Sequence, residues 1–143
     1  MIQDHVLWTT RLADKRTVLN GQEVDLRPYL HEHRDEFVIK PANEGRGYGV
    51  TIGKYASAEQ WNQACQIDPH VPKVVQQFAP SIVFPVICDT AGQASAREMF
   101  LTLGLASICG RYEGLISRIS ANPVTNVARE GFGQAVFVDA NGD

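Results

Sequence analysis

The sequence has no long apolar run and no block of like charge. Its apolar stretches all fall short of the roughly 18 residues that a membrane-spanning helix requires. Basic and acidic residues are interspersed and the net charge is −3, so no basic stripe is available to neutralise the phosphates of a nucleic acid. The first residues also lack the basic and then apolar order of a signal peptide. These absences predict a cytoplasmic protein with neither a membrane nor a nucleic-acid partner.

Cysteine is scarce as well, with only Cys65, Cys88 and Cys109 in the sequence. An odd number at wide spacing argues against a disulfide framework and fits a reducing compartment. The four histidines do not pair with these cysteines at the spacing of metal ligands, which argues against structural zinc. No histidine lies near Cys109 in the sequence, so we do not expect a catalytic thiol there.

What is present predicts one folded unit over residues 1–143. The 44% hydrophobic content is enough for a core, and Asn20-Gly21 between short β-formers predicts a hairpin over residues 17–24. Helices are predicted at 25–36, capped by Asp25, and at 57–67, where Ser57 and Gln60 form a capping-box signature. The segment 97–108 fits helix or strand. Strands are predicted at residues 37–40, 50–53, 73–78, 82–87, 113–120 and 135–138.

These elements predict an α+β fold in which sheet outweighs helix. We expect one antiparallel sheet to contain the strands at 37–40, 50–53, 73–78 and 113–120. Pro85 indicates that the strand at 82–87 lies at a sheet edge, because proline cannot donate a backbone hydrogen bond. On its helix, Trp61 is expected to belong to the core rather than to a binding platform.

The residues with the clearest chemistry are Lys40 and the glycine loop that follows it. Lys40 ends an apolar strand, Phe37-Val38-Ile39-Lys40, and a lysine held this way suits a phosphate. Three alternating glycines, Gly45, Gly47 and Gly49, let the backbone approach a ligand and present N–H groups to an anion. Arg46 at the loop tip can extend to a terminal phosphate. The alternative to a phosphate site is a glycine-rich turn of purely structural role beside a solvated lysine.

The order of the motifs resembles the ATP-grasp superfamily. Lys40-Pro41, a loop ending Gly47-Tyr48-Gly49-Val50, a helix opening at Ser57 and the strand Val74-Val75-Gln76-Gln77-Phe78 follow one another as in its circularly permuted members, which are related to glutathionylspermidine synthase. The stretches Gly110–Ala128 and His5–Arg11 also resemble that group. The similarity covers residues 5–138 and implies an ATP-grasp-like antiparallel sheet with a few packing helices.

The resemblance implies a nucleotide site with ATP and Mg²⁺ as its ligands. The residues that would hold the phosphates are Lys40, Gly45, Arg46, Gly47 and Gly49. The residues that would line the adenine are Val75, Gln76 and Phe78. It further implies that Arg118 is a catalytic arginine near the terminal phosphate and that Asn126 is a magnesium ligand, although Asn126 also reads as a turn residue.

The sequence departs from the family pattern in the loop and in the metal carboxylates. Tyr48 stands where the family commonly has a lysine, which removes one phosphate contact unless Arg46 supplies it. The family's metal carboxylates have no clear match in this sequence: Asp89 and Glu113 are weak candidates, and solvated surface charges are the favoured interpretation of both. Loss of a carboxylate would weaken metal-assisted neutralisation of the transferring phosphoryl group.

The function implied by the resemblance is ATP-dependent ligation of a small-molecule carboxylate to an amine. Family enzymes bind the nucleotide between two lobes and have a separate substrate region, so we expect this chain to be the C-terminal, nucleotide-binding part of such a ligase and incomplete on its own. Missing N-terminal lobes or a homo-oligomer would then complete it. The alternative is a non-catalytic binding or interaction module that retains a decayed ATP-grasp fold.

Overall fold

A computed structural model describes residues 6–90, 92–126, 128 and 130–136. In this part of the chain two α-helices accompany antiparallel strands arranged in three sheets. The chain divides into a first unit, Met1–Pro80, and a second unit, Ser81–Asp143. The α+β expectation is confirmed at the level of mixed helix and antiparallel sheet. No helix among the described residues is long and apolar enough to cross a membrane.

The first unit is built on a four-stranded antiparallel sheet and a separate hairpin. The sheet order is β1-β6-β4-β5, and β2 pairs with β3. The three-residue β1 was not predicted, because so short a strand has no recognisable period. The strands are β1 (Thr9–Arg11), β2 (Arg16–Leu19), β3 (Gln22–Asp25), β4 (Phe37–Pro41), β5 (Thr51–Ile52) and β6 (Lys73–Gln77).

The hairpin between β2 and β3 turns at the predicted Asn20-Gly21 pair. Both residues have positive φ, 49° and 81°, as a two-residue type I′ turn requires. Helix α1 covers Leu26–Glu32 and is followed by a 3₁₀ turn at Arg34–Glu36, so the predicted helix over 25–36 was too long. Asp25 occupies the N-cap position without a side-chain cap bond.

Helix α2 covers Ala58–Ala64 and begins with the predicted capping box. The Ser57 hydroxyl accepts from the Gln60 N–H at 3.1 Å, and the Gln60 side chain accepts from the Ser57 N–H at 2.9 Å. The helix is shorter than the predicted 57–67. Strand β5 is likewise shorter than predicted, because the chain enters a 3₁₀ turn at Gly53–Tyr55.

Both helices contribute to the core of the first unit. Trp61 is 1% exposed and donates its ring N–H to the Leu30 carbonyl at 3.0 Å, which confirms the expected core position. Burying this indole with its N–H satisfied avoids the cost of an orphaned donor. The buried cluster consists of Leu12, Leu19, Leu26, Leu30, Phe37, Ile39, Trp61, Ala64, Cys65 and Val75.

The second unit contains a separate antiparallel sheet with the order β10-β9-β8-β7. The expectation that the strand at 113–120 joins the first sheet was therefore wrong. That strand pairs instead with its chain neighbour through a turn at Cys109-Gly110, where φ is 51° and 77°, a conformation that favours a tight local hairpin. The strands are β7 (Ile82–Thr90), β8 (Gln93–Ile108), β9 (Arg111–Ser120) and β10 (Phe132–Gln134).

The structure also bears on three other predictions for the second unit. The ambiguous segment 97–108 is part of β8, and β7 is an edge strand as Pro85 indicated. The strand predicted at 135–138 was wrong for residues 135 and 136, which lie beyond the end of β10. Residues 137 and 138 lie outside the described part of the chain.

Candidate functional site

The sheet of the first unit has one face in the core and one face open. Ile39 lies opposite Val75 in register, Phe37 is two residues before Ile39 on the same face, and all three are at most 1% exposed. Side chains alternate between the two faces along a strand, so the neighbours of these residues share the other face. We call this the open face; all of its members are half-buried or exposed. It consists of Thr9, Arg11, Val38, Lys40, Ile52, Val74 and Gln76.

Lys40 and Gln76 meet on the open face. Lys40 lies opposite Val74 in the β4–β6 register, so Gln76 is its diagonal neighbour on the same face. The Lys40 ammonium donates to the Gln76 Oε1 at 2.8 Å. An ammonium has three donors, and this bond uses one of them. The pair therefore holds a cation on a rigid sheet while leaving it capacity for a ligand.

The glycine loop leaves the sheet directly after Lys40. Its first backbone contact is the Ala42 N–H donating to the Pro72 carbonyl at 2.8 Å, and the Tyr48 N–H donates to the Gly45 carbonyl at 3.1 Å. Arg46, Gly47 and Gly49 have positive φ of 55°, 76° and 67°. Positive-φ residues next to residues of negative φ, such as Tyr48 between Gly47 and Gly49, are the kind of sequence in which backbone N–H groups can turn toward a common side, as in anion-binding loops.

Gly49 is required by a close approach as well as by its backbone conformation. A Cβ at this position would lie 2.7 Å from the Pro41 Cγ. Gly49 therefore lets the end of the loop close against Pro41, the residue after Lys40. Gly45, by contrast, has open space where a Cβ would lie. The Gly49 end of the loop is thus packed against Pro41, next to Lys40.

Phe78 lies just past β6, beside a concavity of about 340 Å³. Its ring makes an edge contact with Tyr55 at 6.0 Å between centroids, and its backbone N–H donates to the Glu36 carbonyl at 2.7 Å. The volume is at the lower end of the range for small-molecule sites. The concavity is lined by Asp35, Glu36, Lys54, Gln77, Phe78 and Pro80.

Val75 differs from the other predicted nucleotide contacts. Its side chain is fully buried in the core, and its strand lies between β1 and β4 in the sheet. A side-chain contact between Val75 and a ligand on the open face is therefore not available in this structure. Val75 instead fixes the register that places Val74 and Gln76 on the open face.

Arg118 and Asn126 belong to the second unit, and the structure brings them into one neighbourhood there. The exposed Arg118 lies opposite Thr102 on β8. The Thr125 hydroxyl donates to the Thr102 hydroxyl at 2.7 Å, which places Asn126 next to that pair. The Asn126 Oδ1 accepts from the Ala128 N–H at 2.9 Å, so its amide already has a role in the turn.

No cluster of three His, Cys, Asp or Glu side chains is arranged to hold a metal in the part of the chain that the structure describes. The Asp89 carboxylate accepts from the Gly92 N–H at 2.9 Å, within the turn that follows β7, and Glu113 is exposed on β9. Mg²⁺ is commonly bound through one or two carboxylates together with substrate phosphates. The described residues therefore do not fit a metal site made by the protein alone.

Arg11 is a charged residue of the open face that the sequence did not indicate as part of the site. It lies on β1 opposite Val74, which itself lies opposite Lys40. Its position follows from the pairing of β1 with β6, two segments that are about sixty residues apart in the sequence. No local signal in a three-residue strand specifies that partner.

Comparison of the chain with protein-family models, with curated proteins and with solved structures returned no match.

Proposed function

We propose that this chain is the ATP- and magnesium-binding part of an ATP-dependent carboxylate–amine ligase with an ATP-grasp-like sheet. The observation that carries the proposal is the position of Lys40. Its ammonium lies on the open face of the sheet, is held by the Gln76 Oε1 at 2.8 Å, and is followed in the chain by a loop that contains several positive-φ residues. These are the elements needed to hold a polyphosphate chain.

The open face suits a nucleotide for a second reason. Val38, Ile52 and Val74 are half-buried apolar residues around the Lys40–Gln76 pair. A ligand site combines such apolar area with a few placed polar groups. We assign the phosphates to Lys40 and the glycine loop, including Arg46 at its tip, and the base to the surroundings of Gln76 and Phe78.

Ligation of this type transfers the terminal phosphoryl group of ATP to a carboxylate oxygen and leaves ADP. The amine nitrogen then attacks the carbonyl carbon of the acyl phosphate. The bond between that carbon and the bridging phosphate oxygen breaks, the amine loses one proton, and the products are an amide and phosphate. The chain's own residues contribute positioning and neutralisation of charge on the phosphates. Because the described residues do not fit a metal site of their own, Mg²⁺ would enter with the nucleotide. The roles of Arg118 and Asn126 in the second unit stay predictions from the sequence.

The test is a calorimetric titration of the protein with ATP, with and without millimolar Mg²⁺. We expect saturable binding that Lys40→Met weakens about ten- to hundredfold, because a hydrogen bond to a charged group contributes roughly 1.5–3 kcal/mol. Methionine keeps the apolar stem and removes the ammonium. Lys15→Met is the matched control, since Lys15 is an exposed lysine outside the open face whose ammonium donates to the Thr10 hydroxyl.

Two results would count against the proposal. The nucleotide site is absent if the wild-type protein binds no ATP at millimolar Mg²⁺. It is placed wrongly if Lys40→Met binds ATP as tightly as Lys15→Met does. The first result would favour the alternative of a non-catalytic module that retains the fold. Tyr48 in the loop and the lack of a metal cluster among the described residues are the observations that suit that alternative.

A further inference from the structure

We propose that Arg11 is a second phosphate-binding cation of the open face and acts together with Lys40 on the polyphosphate of the nucleotide. This inference rests on the proposed function, because it adds a residue to the same site. Arg11 lies far from the glycine loop in the sequence. The pairing of β1 with β6 is what brings it to the same face as Lys40.

The geometry of the sheet places the two cations on either side of one valine. Arg11 lies opposite Val74 on one side, and Lys40 lies opposite Val74 on the other. Neighbouring strands are about 4.8 Å apart, so the two Cα atoms are separated by about 10 Å across the sheet. Opposed residues share a face. Two long side chains can therefore converge over Val74 onto a single extended anion.

This cross-strand row lies at the end of the sheet from which the glycine loop departs. Lys40 is followed by Pro41, the Ala42 N–H bonds the Pro72 carbonyl at 2.8 Å, and the Leu12 N–H bonds the Lys73 carbonyl at 2.9 Å. The residues after Arg11 and Lys40 are thus both held to the segment that leads into β6. Arg11 is consequently placed at the phosphate end of the proposed site rather than at the Phe78 end.

The charge balance of the open face also favours an anion. Among its strand residues Arg11 and Lys40 are the charged ones, and no carboxylate shares the face. Within the described residues, Arg11 forms no salt bridge. Asp68 lines a concavity with Arg11 but is not part of the open face and forms no ion pair with Arg11 among the described residues; its Oδ1 accepts from the His70 N–H at 2.8 Å. Two like charges on one face repel each other, and a bound anion relieves that repulsion.

Arg11 would also add a cation that is held by the sheet. In the glycine loop the cation is Arg46, which is carried by the loop rather than by a paired strand, and Tyr48 contributes no charge. Arg11 provides a guanidinium on a paired strand, which can contact two phosphate oxygens at once. The sheet would then hold the phosphates between Lys40 and Arg11 before the loop contributes.

The test compares ATP, ADP and adenosine as titrants of the wild-type protein and of Arg11→Gln. Because Arg11 would contact phosphate and not the nucleoside, Arg11→Gln should weaken ATP binding about tenfold and leave adenosine binding unchanged. Arg11→Lys keeps the charge and should recover most of the ATP affinity. Arg16→Gln is the matched control for net charge, since Arg16 is an exposed arginine on the separate β2–β3 hairpin.

The outcomes separate this inference from the proposed function. If the wild-type protein binds no ATP, both are overturned. If Lys40→Met weakens ATP binding while Arg11→Gln matches Arg16→Gln, the nucleotide site stands and the role of Arg11 is wrong. Equal losses for ATP and adenosine in Arg11→Gln would also overturn the inference, since they would indicate a structural effect. A loss confined to the phosphorylated titrants, recovered by Arg11→Lys, would support it.

Discussion

Lys73→Met should destabilise the first unit by removing the group that closes the end of helix α2. The Lys73 ammonium donates to the carbonyls of Ala64 and Gln66 at 3.0 Å each, and lies 3.5 Å from the carbonyl of Gln63. The last carbonyls of a helix have no partner within the helix, and a cation is favourable there because of the helix dipole. Methionine keeps the stem of the side chain and removes these bonds.

The expected loss in the free energy of unfolding is about 2 kcal/mol. A hydrogen bond from a charged donor contributes roughly 1.5–3 kcal/mol, and the helix-dipole contribution is roughly 0.3–1 kcal/mol. Lys73 is half-buried, so water partly replaces the lost partners and the low end of the combined range applies. With a urea m-value of roughly 1–3 kcal/mol per molar, the midpoint should fall by about 1 M.

Urea unfolding followed by tryptophan fluorescence measures this loss directly. Trp8 and Trp61 are the two tryptophans of the sequence and both belong to the first unit, so the signal reports the unit that contains α2. Lys15→Met is the control and should stay within about 0.5 kcal/mol of the wild type, as exposed substitutions generally do. A Lys73→Met midpoint equal to that of Lys15→Met would refute the capping role.

Three further predictions concern Gly53 and the cysteines. Gly53→Ala should cost about 2–3 kcal/mol in the same urea assay, because its Cβ would lie 1.8 Å from the Arg34 carbonyl oxygen; Gly45→Ala, which has open space, is the control, and equal midpoints would contradict the prediction. Burial raises the pKa of Cys65 from 9.0 to about 11, so at pH 8 a thiol reagent should modify the exposed Cys109 well before Cys65. Between pH 9 and 11 the unfolded chain loses the Cys65 proton that the folded chain keeps, so this group lowers stability by up to about 1.4 kcal/mol per pH unit; a Cys65→Ala variant with the same slope would contradict this.

Local signals predicted the parts of the fold that depend on neighbouring residues. Asn20-Gly21 fixed a turn through its positive φ values, and Ser57 with Gln60 fixed the start of α2. The apolar run before Lys40 likewise predicted β4, because a short run of β-forming apolar residues is a local signal of a buried strand. Element ends were less well predicted, since α1 and β5 stop where the chain must turn toward a tertiary partner. Gly53 illustrates this, because its turn depends on contact with Arg34.

The choice of strand partners could not be read from the sequence. The strand over 113–120 was assigned to the wrong sheet because an amphipathic strand pattern does not name its neighbour. For the candidate site, the sequence predicted Lys40 and Gln76 as ligand contacts, whereas the hydrogen bond between them and the position of Arg11 depend on the strand register. The same register places Val75 in the core and Gln76 on the open face.

The central claim is that ATP binds on the open face beside the glycine loop. An NMR titration of the ¹⁵N-labelled protein with ATP and Mg²⁺ locates the ligand without assuming any residue's role. We expect chemical-shift changes concentrated in residues 40–49 and at Val74 and Gln76, with the β2–β3 hairpin unchanged. A spectrum that does not respond to ATP, or responses confined to residues away from the open face and its loop, would contradict it.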